Sequence, residues 1–293
     1  MGASSDSVVF HWEDPMMRIR QALFESARQL RSSGVAVPEM TARVLLSDVL
    51  GRDQAWLEAH SEEALGPGRL ERFRSALRAR ADGVPLQYIR GVQEFFGLEF
   101  AVTPAVLIPR PETEHLVEAA LQRIRPGDRV VDIGTGSGAI AVSLALHAPS
   151  ATVLASDISL DALAVASRNA ARLGAEVQFL AADAARALAP KTVEMVVTNP
   201  PYVPRADACG LQKELHHEPA VALYGGEDGL EVFERIARSA WDALRRGGSL
   251  LAEIGFGSRD AVRRLLRSSG WEKPAFLGDL AGIDRVVITR RSA

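Results

Sequence analysis

The chain has a single cysteine, Cys209, among 293 residues. That excludes an internal disulfide framework and any cluster of thiolate metal ligands, and it suits a reducing, cytoplasmic setting. Its surroundings, "RADACGLQ", offer no partner base, so a structural or surface thiol is expected. No apolar run approaches the ~20 residues that a membrane-spanning helix needs, so no membrane partner is expected. The opening "MGASSDSVVFHWEDP" lacks a basic stretch ahead of an apolar core and reads as a tail, not a secretory signal. It matches the M-G-x-x-x-[ST] myristoylation pattern on spacing alone. Positive charge is not in surplus either: the net charge is −3. Positions 1–90 carry 12 acidic and 12 basic residues. A protein that wraps a phosphate backbone shows a basic surplus, so direct nucleic-acid binding is not expected. His216 and His217 have no third ligand at a workable spacing, so no metal is expected. No internal repeat or low-complexity segment is present.

What the chain does hold is apolar material, 47% of its residues, enough for a sizeable core. Residues 15–82 read as helices. "MRIRQALFESARQL" places Ile19, Leu23, Ala27 and Leu30 on one face at helical spacing. "PEMTARVLLSDVLG" predicts a second helix ending at Gly51, and "DQAWLEAH" and "GRLERFRSALRARADG" predict two more. In "PLQYIRGVQEFFGLEFAVTP", aromatic and β-branched residues flank Gly91 and Gly97, which predicts short strands and turns. Beyond about residue 113 apolar runs alternate with helical patterns: "RVVDIG", "ATVLASD", "EVQFLAAD", "VEMVVTNPP", "GSLLAEIG" and "DRVVITR". That alternation implies an α/β fold with a mostly parallel sheet covered on both faces.

Two motifs carry chemistry. "VVDIGTGSGAIAVSLAL" reads as strand, glycine turn and helix, with Asp132 just ahead of Gly134, Thr135, Gly136, Ser137 and Gly138. The glycines remove side chains where a turn is tight and a ligand must approach backbone. Gly134, Gly136 and Ala139 also fit the dinucleotide pattern, which is weak alone. Asp157 closes the next strand, 19 residues after Gly138, where a carboxylate can accept from both hydroxyls of a ribose. NAD and S-adenosylmethionine both satisfy this half.

"TNPPYVP" separates them. Prolines stop the preceding strand abruptly and hold Asn199 and Tyr202 at its end. An amide or exocyclic amine nitrogen is a poor nucleophile because its lone pair is delocalised. A site improves it by accepting hydrogen bonds from both N–H groups. The Asn199 side-chain carbonyl supplies one acceptor. The Pro200 carbonyl supplies the other, held by the fixed φ angles of Pro200 and Pro201. Tyr202 offers a flat face to a planar amide or base. Hydride transfer would need a general acid, and none stands in context.

These segments, with "DIGTGSGAIA", "SDIS", "VLIPRPETEHLVEAAL", "EPAVALYGGEDGL" and "DLAGIDRVVITR", resemble the PrmC/HemK family of glutamine N5-methyltransferases. The resemblance spans roughly residues 84–289. It implies a class I S-adenosylmethionine-dependent methyltransferase: a Rossmann-like seven-stranded sheet, last strand antiparallel, behind a small helical N-terminal domain. The expected division is 1–84 for a substrate-recognition domain, 85–108 for a hairpin linker and 109–293 for the catalytic domain. It implies that Gly134 to Gly138, Asp157, Asp183, Ala184 and Asn199 line the S-adenosylmethionine site. Asn199, Pro200, Pro201 and Tyr202 would hold a glutamine side chain from the Gly-Gly-Gln tip of a class I peptide-chain release factor. Ala184 stands where the family often has an aromatic residue, and His217 where Tyr or Phe commonly precedes Glu-Pro. A monomer is expected. The alternatives are an adenine-N6 methyltransferase acting on DNA or RNA, and a non-catalytic binding module with the same fold.

Overall fold

The structure is a computed structural model and describes residues 17–292; the expected N-terminal tail, with its myristoylation-like spacing, lies outside them. The chain divides into two compact units. One comprises the residues up to Gly91 together with Lys213–His217, the other Val92–Gln212 and Glu218–Ala293.

The first unit is helical: α1 (Ile19–Ser32), α2 (Pro38–Leu50), α3 (Gln54–Ala59), α4 (Pro67–Ala81) and α5 (Leu86–Arg90). Ile19, Ala27 and Leu30 are buried and Leu23 packs against them, as the helical spacing predicts. α2 starts on Pro38, whose missing N–H costs nothing in a first turn. It ends at Gly51, which takes the left-handed conformation at φ 63°. α3 is capped by Asp53, whose carboxylate accepts from the Trp56 N–H at 2.7 Å. Leu45, Leu46, Leu57, Phe73 and Leu77 complete this core. Lys213–His217, far along the chain, belongs to the same unit: Glu214 pairs with the largely buried Arg80 guanidinium at 2.6 Å.

"PLQYIR" is helical, not a strand. Leu86–Arg90 forms one turn closed by Gly91 at φ 77°. The strands come only after it, as the hairpin β1 (Val92–Phe95) and β2 (Leu98–Ala101), in the second unit. The segment expected as one linker is therefore divided at Gly91.

The rest of the second unit is a seven-stranded sheet: β3 (Arg129–Ile133), β4 (Thr152–Asp157), β5 (Val177–Ala181), β6 (Val193–Thr198), β7 (Leu244–Glu253), β8 (Ala275–Gly278) and β9 (Asp284–Arg290). The order is β5-β4-β3-β6-β7-β9-β8. β3 to β7 are mutually parallel, and β9 runs antiparallel to β7 and β8. Successive residues serve opposite faces. Val130, Met195, Val197, Leu251 and Ile288 face one core with the helices α6 (Glu114–Leu121), α7 (Ala139–His147) and α8 (Leu160–Leu173). Val131, Val196, Leu250, Ala252 and Val287 face the other, under α10 (Glu231–Ala243) and α11 (Arg259–Ser268). A short helix, α9 (Ala220–Leu223), lies between α8 and α10 in sequence. Burial on both faces explains why these strands read as continuous apolar runs. β8 was not among those runs: it is a mostly exposed edge strand.

Strand order reverses about β3, whose neighbours are β4 and β6. Ligands of open α/β sheets bind at the carboxyl ends of strands beside such a reversal. Asp132, Asp157, Asn199 and Glu253 all stand at that edge.

Candidate active site

Ile133 pairs in register with Ser156 on one side and Thr198 on the other, and Thr198 with Ala252. Asn199, one residue further on, therefore stands beside the start of the glycine loop and beside the end of β7. The buried Thr198 hydroxyl donates to the Ile133 carbonyl at 2.8 Å, closing the strand before the prolines.

The glycine loop is built as the spacing suggests. Gly134, Gly136 and Gly138 have φ of 72°, 55° and 83°, a region costly for residues with a Cβ. A Cβ on Gly138 would lie 3.1 Å from Ala166 of α8, whereas above Gly134 and Gly136 the space is open. Asn169, fully buried on α8, donates to the Ser137 carbonyl and to the Ala101 carbonyl, both at 2.9 Å. It also accepts from the Ala101 N–H at 2.8 Å, so it ties the loop to the hairpin. The Asp157 carboxylate accepts from the Gly136 N–H and the Ser159 N–H, each at 2.9 Å. A carboxylate has about four lone-pair sites, so capacity remains for hydroxyls of a ligand. Ile158, next in sequence, is exposed. Asp132 is fully buried, accepts from the Thr135 hydroxyl at 2.6 Å and leaves Oδ1 unpartnered. Burial pushes its pKa up to about 7.

Asp183 and Ala184 are placed differently from the rest of the set. The Asp183 carboxylate is engaged by Arg186 at 3.3 Å and Arg235 at 3.4 Å. Ala184, at φ 57°, is buried in the core under α10 and presents little surface.

The proline turn is braced by the glycines of "YGGEDGL". Val203 and Gly225 exchange backbone bonds with that loop, through Leu223 and Val203 carbonyls, at 3.0 Å each. A Cβ on Gly225 would lie 2.5 Å from the Pro201 carbonyl, and one on Gly229 would lie 2.4 Å from the Tyr202 carbonyl. Only glycine allows that approach. The motif "IPRPETE" is joined to "EPAV" by the buried Glu218, which accepts from the Ile108 N–H at 3.1 Å and pairs with Arg110. Tyr202 packs its ring against Gly255. Burial, then the nearby Glu253 charge, pushes its hydroxyl pKa up to about 12.

Asn199 is half-buried, and its Nδ2 donates to the Thr113 hydroxyl at 3.0 Å. The Thr113 hydroxyl in turn meets the Glu253 carboxyl at 2.6 Å. Thr113 and Glu253 are 4% and 2% exposed. Neither residue stands in a sequence motif that by itself points to chemistry. The available signal was a single carboxylate closing an otherwise apolar strand, "SLLAEIG".

Comparison with known proteins identifies the family and the fold. Residues 21–91 match the family described as the PrmC N-terminal domain, and residues 112–223 match the methyltransferase small domain. The chain is 45% identical over 280 residues to the release factor glutamine methyltransferase of Moorella thermoacetica, covering 94% of this chain and 99% of that one. It is 41% identical to the one from Koribacter versatilis, with the same coverage. This chain belongs to the release factor glutamine methyltransferases. The Bordetella pertussis member is 46% identical over 253 residues, 85% of this chain and 94% of that one. Among solved structures, a methyltransferase from Pyrococcus furiosus aligns with a TM-score of 0.52 at 19% identity, covering 68% of this chain and 91% of that chain. The human Mettl16 catalytic domain aligns with a TM-score of 0.53 at 18% identity, covering 74% and 82%. These two show the fold, that of a class I methyltransferase, as the sequence resemblance implied. The cofactor of a release factor glutamine methyltransferase is S-adenosylmethionine, and the open glycine loop, the unpartnered buried Asp132 oxygen and the spare lone pairs of Asp157 fit it.

Burial also holds the Glu253 carboxyl neutral longer than usual, pushing its pKa from 4.5 up to about 7; Thr113 and Arg285 oppose this and Glu112 adds to it. A raised acid pKa means that the folded state binds more protons than the unfolded state between those two values. Stability therefore falls as pH rises through that window and levels off above it. The change from 4.5 to about 7 is equivalent to about 3 kcal/mol. Denaturant unfolding of the ligand-free protein at pH 5 and pH 8 should show this loss, and Glu253→Gln should lose less than wild type across the same interval. Equal losses would contradict the assigned ionisation.

Proposed function

We propose that this chain methylates the side-chain amide nitrogen of the glutamine in the Gly-Gly-Gln motif of class I peptide-chain release factors. The observation that carries the reading is the fixed Asn199 carboxamide at the end of β6, beside the glycine loop. Its Nδ2 is occupied by Thr113, so Oδ1 is the arm left to accept a substrate N–H. The Pro200 carbonyl accepts the second N–H. Together they turn the amide lone pair toward the donor and draw electron density onto nitrogen. Bound S-adenosylmethionine supplies an electrophilic methyl carbon. Gly134, Thr135, Gly136, Ser137 and Gly138 would present backbone to it, and Asp157 would accept from its ribose hydroxyls. Ile158, exposed beside Asp157, would cover the adenine, since the Ala184 side chain is buried in the core. No residue needs to remove a proton before transfer, because positioning supplies most of the catalysis. Tyr202 packs beside the substrate amide and keeps water from it. Release-factor protein should gain label from methyl-labelled S-adenosylmethionine, while adenine-containing DNA and RNA should gain none. Label in nucleic acid instead would favour the adenine-N6 reading.

The helical unit is assigned to recognition of the protein substrate. A glutamine side chain alone offers few contacts, so affinity must come from a remote surface. Phe24, on α1, is 70% exposed, so its ring is accessible to a protein partner. Phe24→Ser should raise KM for an intact release factor by roughly tenfold and leave turnover of a short Gly-Gly-Gln peptide unchanged. Equal effects on both substrates would make this unit a structural support only. A substitution tests the role better than a truncation, which would strip Glu214 of Arg80.

A further inference from the structure

Two buried residues outside the proposed grip decide which way the Asn199 carboxamide points. The two ends of a carboxamide are nearly equal in size but opposite in hydrogen-bonding sense. Oxygen toward the substrate accepts an amide N–H; nitrogen there would meet it donor to donor. Nothing in the shape of an asparagine selects the first. The hydrogen-bond chain does.

An ionised carboxylate only accepts. The Thr113 hydroxyl, 2.6 Å from Glu253 Oε2, must then spend its one proton on Glu253. That leaves Thr113 only lone pairs to offer Asn199, and lone pairs accept only from Nδ2, which stands 3.0 Å away. Each link fixes the polarity of the next, and both relay residues are sealed from water, so no solvent molecule can substitute a different polarity. Burial, the strongest influence, and Glu112 push the pKa of this carboxyl up to about 7, against Thr113, Arg285 and the Tyr202 hydroxyl, so the polarity belongs to the ionised form that is populated above that pH. Burying a carboxylate is costly, and the fold retains this one where β7 ends beside Asn199.

We propose that Glu253, acting through Thr113, is a positioning residue that holds the Asn199 carbonyl oxygen toward the substrate amide. The inference rests on the amide-grip reading of Asn199 and adds the device that orients it. Neither Thr113 nor Glu253 touches the reacting atoms; both act through Asn199.

The test is a pair of double-variant cycles with an intact release factor as substrate. Thr113→Val keeps shape and removes the hydroxyl. It should lower kcat by roughly 10- to 100-fold, with KM for the release factor and cofactor affinity within a few fold, because only the orientation at the reacting centre is lost. Thr113→Ser restores the hydroxyl and should recover most of the rate. In an Asn199→Ala background there is no carboxamide to orient, so Thr113→Val should cost little more. Glu253→Gln, whose amide lets the chain run in either sense, should repeat the pattern and gives a second cycle if the valine variant does not fold. Unchanged kcat in folded Thr113→Val or Glu253→Gln overturns the inference, as does a full loss that persists in the Asn199→Ala background. A wild-type chain that leaves the release factor unmethylated overturns the functional reading and this inference with it; an active wild type with indifferent variants overturns the inference alone.

Discussion

Replacing Asn199 by alanine should cut methyl transfer by two or more orders of magnitude while leaving S-adenosylmethionine affinity within a few fold. The asymmetry follows from what the side chain does. Asn199 is held at the end of β6 by the strand closure at Thr198 and by its bond to Thr113. Its oxygen is proposed to accept from the nucleophile and to contribute little to cofactor binding. Losing one pre-aligned polar contact at a reacting centre costs roughly 3 kcal/mol in comparable sites. The amide is a weak nucleophile with no general base to compensate, so the loss should fall on kcat. Single-turnover rates with saturating cofactor and release factor read it directly. Near wild-type turnover would mean that the substrate amide is activated elsewhere.

The second large effect belongs to Asp157. Asp157→Ala should weaken S-adenosylmethionine binding by about 1.5–3 kcal/mol, the usual cost of losing a charged hydrogen-bond acceptor. That corresponds to roughly 10- to 150-fold in Kd. The side chain does two things at once. It is proposed to offer lone pairs to the ribose, and it holds the Gly136 and Ser159 amides. Alanine removes both, so the glycine loop loses its brace along with the acceptor. Asp157→Asn keeps one acceptor atom and should fall between the two. Calorimetry gives the affinities, and an unchanged Kd in the alanine variant would take Asp157 out of the ribose site.

Sequence and structure part company in instructive places. Helices α1 to α4 were legible because a buried stripe at 3.6-residue spacing, with Pro38 and Gly51 as punctuation, leaves little choice. The central strands were legible because burial on both faces demands uninterrupted apolar residues. α5 was not: "QYI" has strand-like composition, and its single turn is decided by Gly91 closing it and by Leu86 and Ile89 packing on the helical core. β8 escaped because an exposed edge strand carries no apolar run. At the site, residues close to one another in sequence, such as Gly134 to Gly138 and Asn199 to Tyr202, could be read from spacing. Thr113 and Glu253 could not. They reach Asn199 through bonds that span 86 and 140 residues, a separation that only the sheet order brings together. The same holds for Asn169, which looks like an ordinary polar residue on α8 until the hairpin is seen against it. Ala184 could be noted as a departure, but not that its side chain turns into the core.

The proposed acceptor is a glutamine amide of a release factor. Intact-mass measurement of a class I release factor, after incubation with this protein and S-adenosylmethionine, tests it most directly. The account predicts a gain of one methyl group, mapped by fragmentation to the side chain of the Gly-Gly-Gln glutamine and absent when Asn199→Ala replaces the wild type. An unmodified release factor, or a methyl group on any other residue, would contradict it.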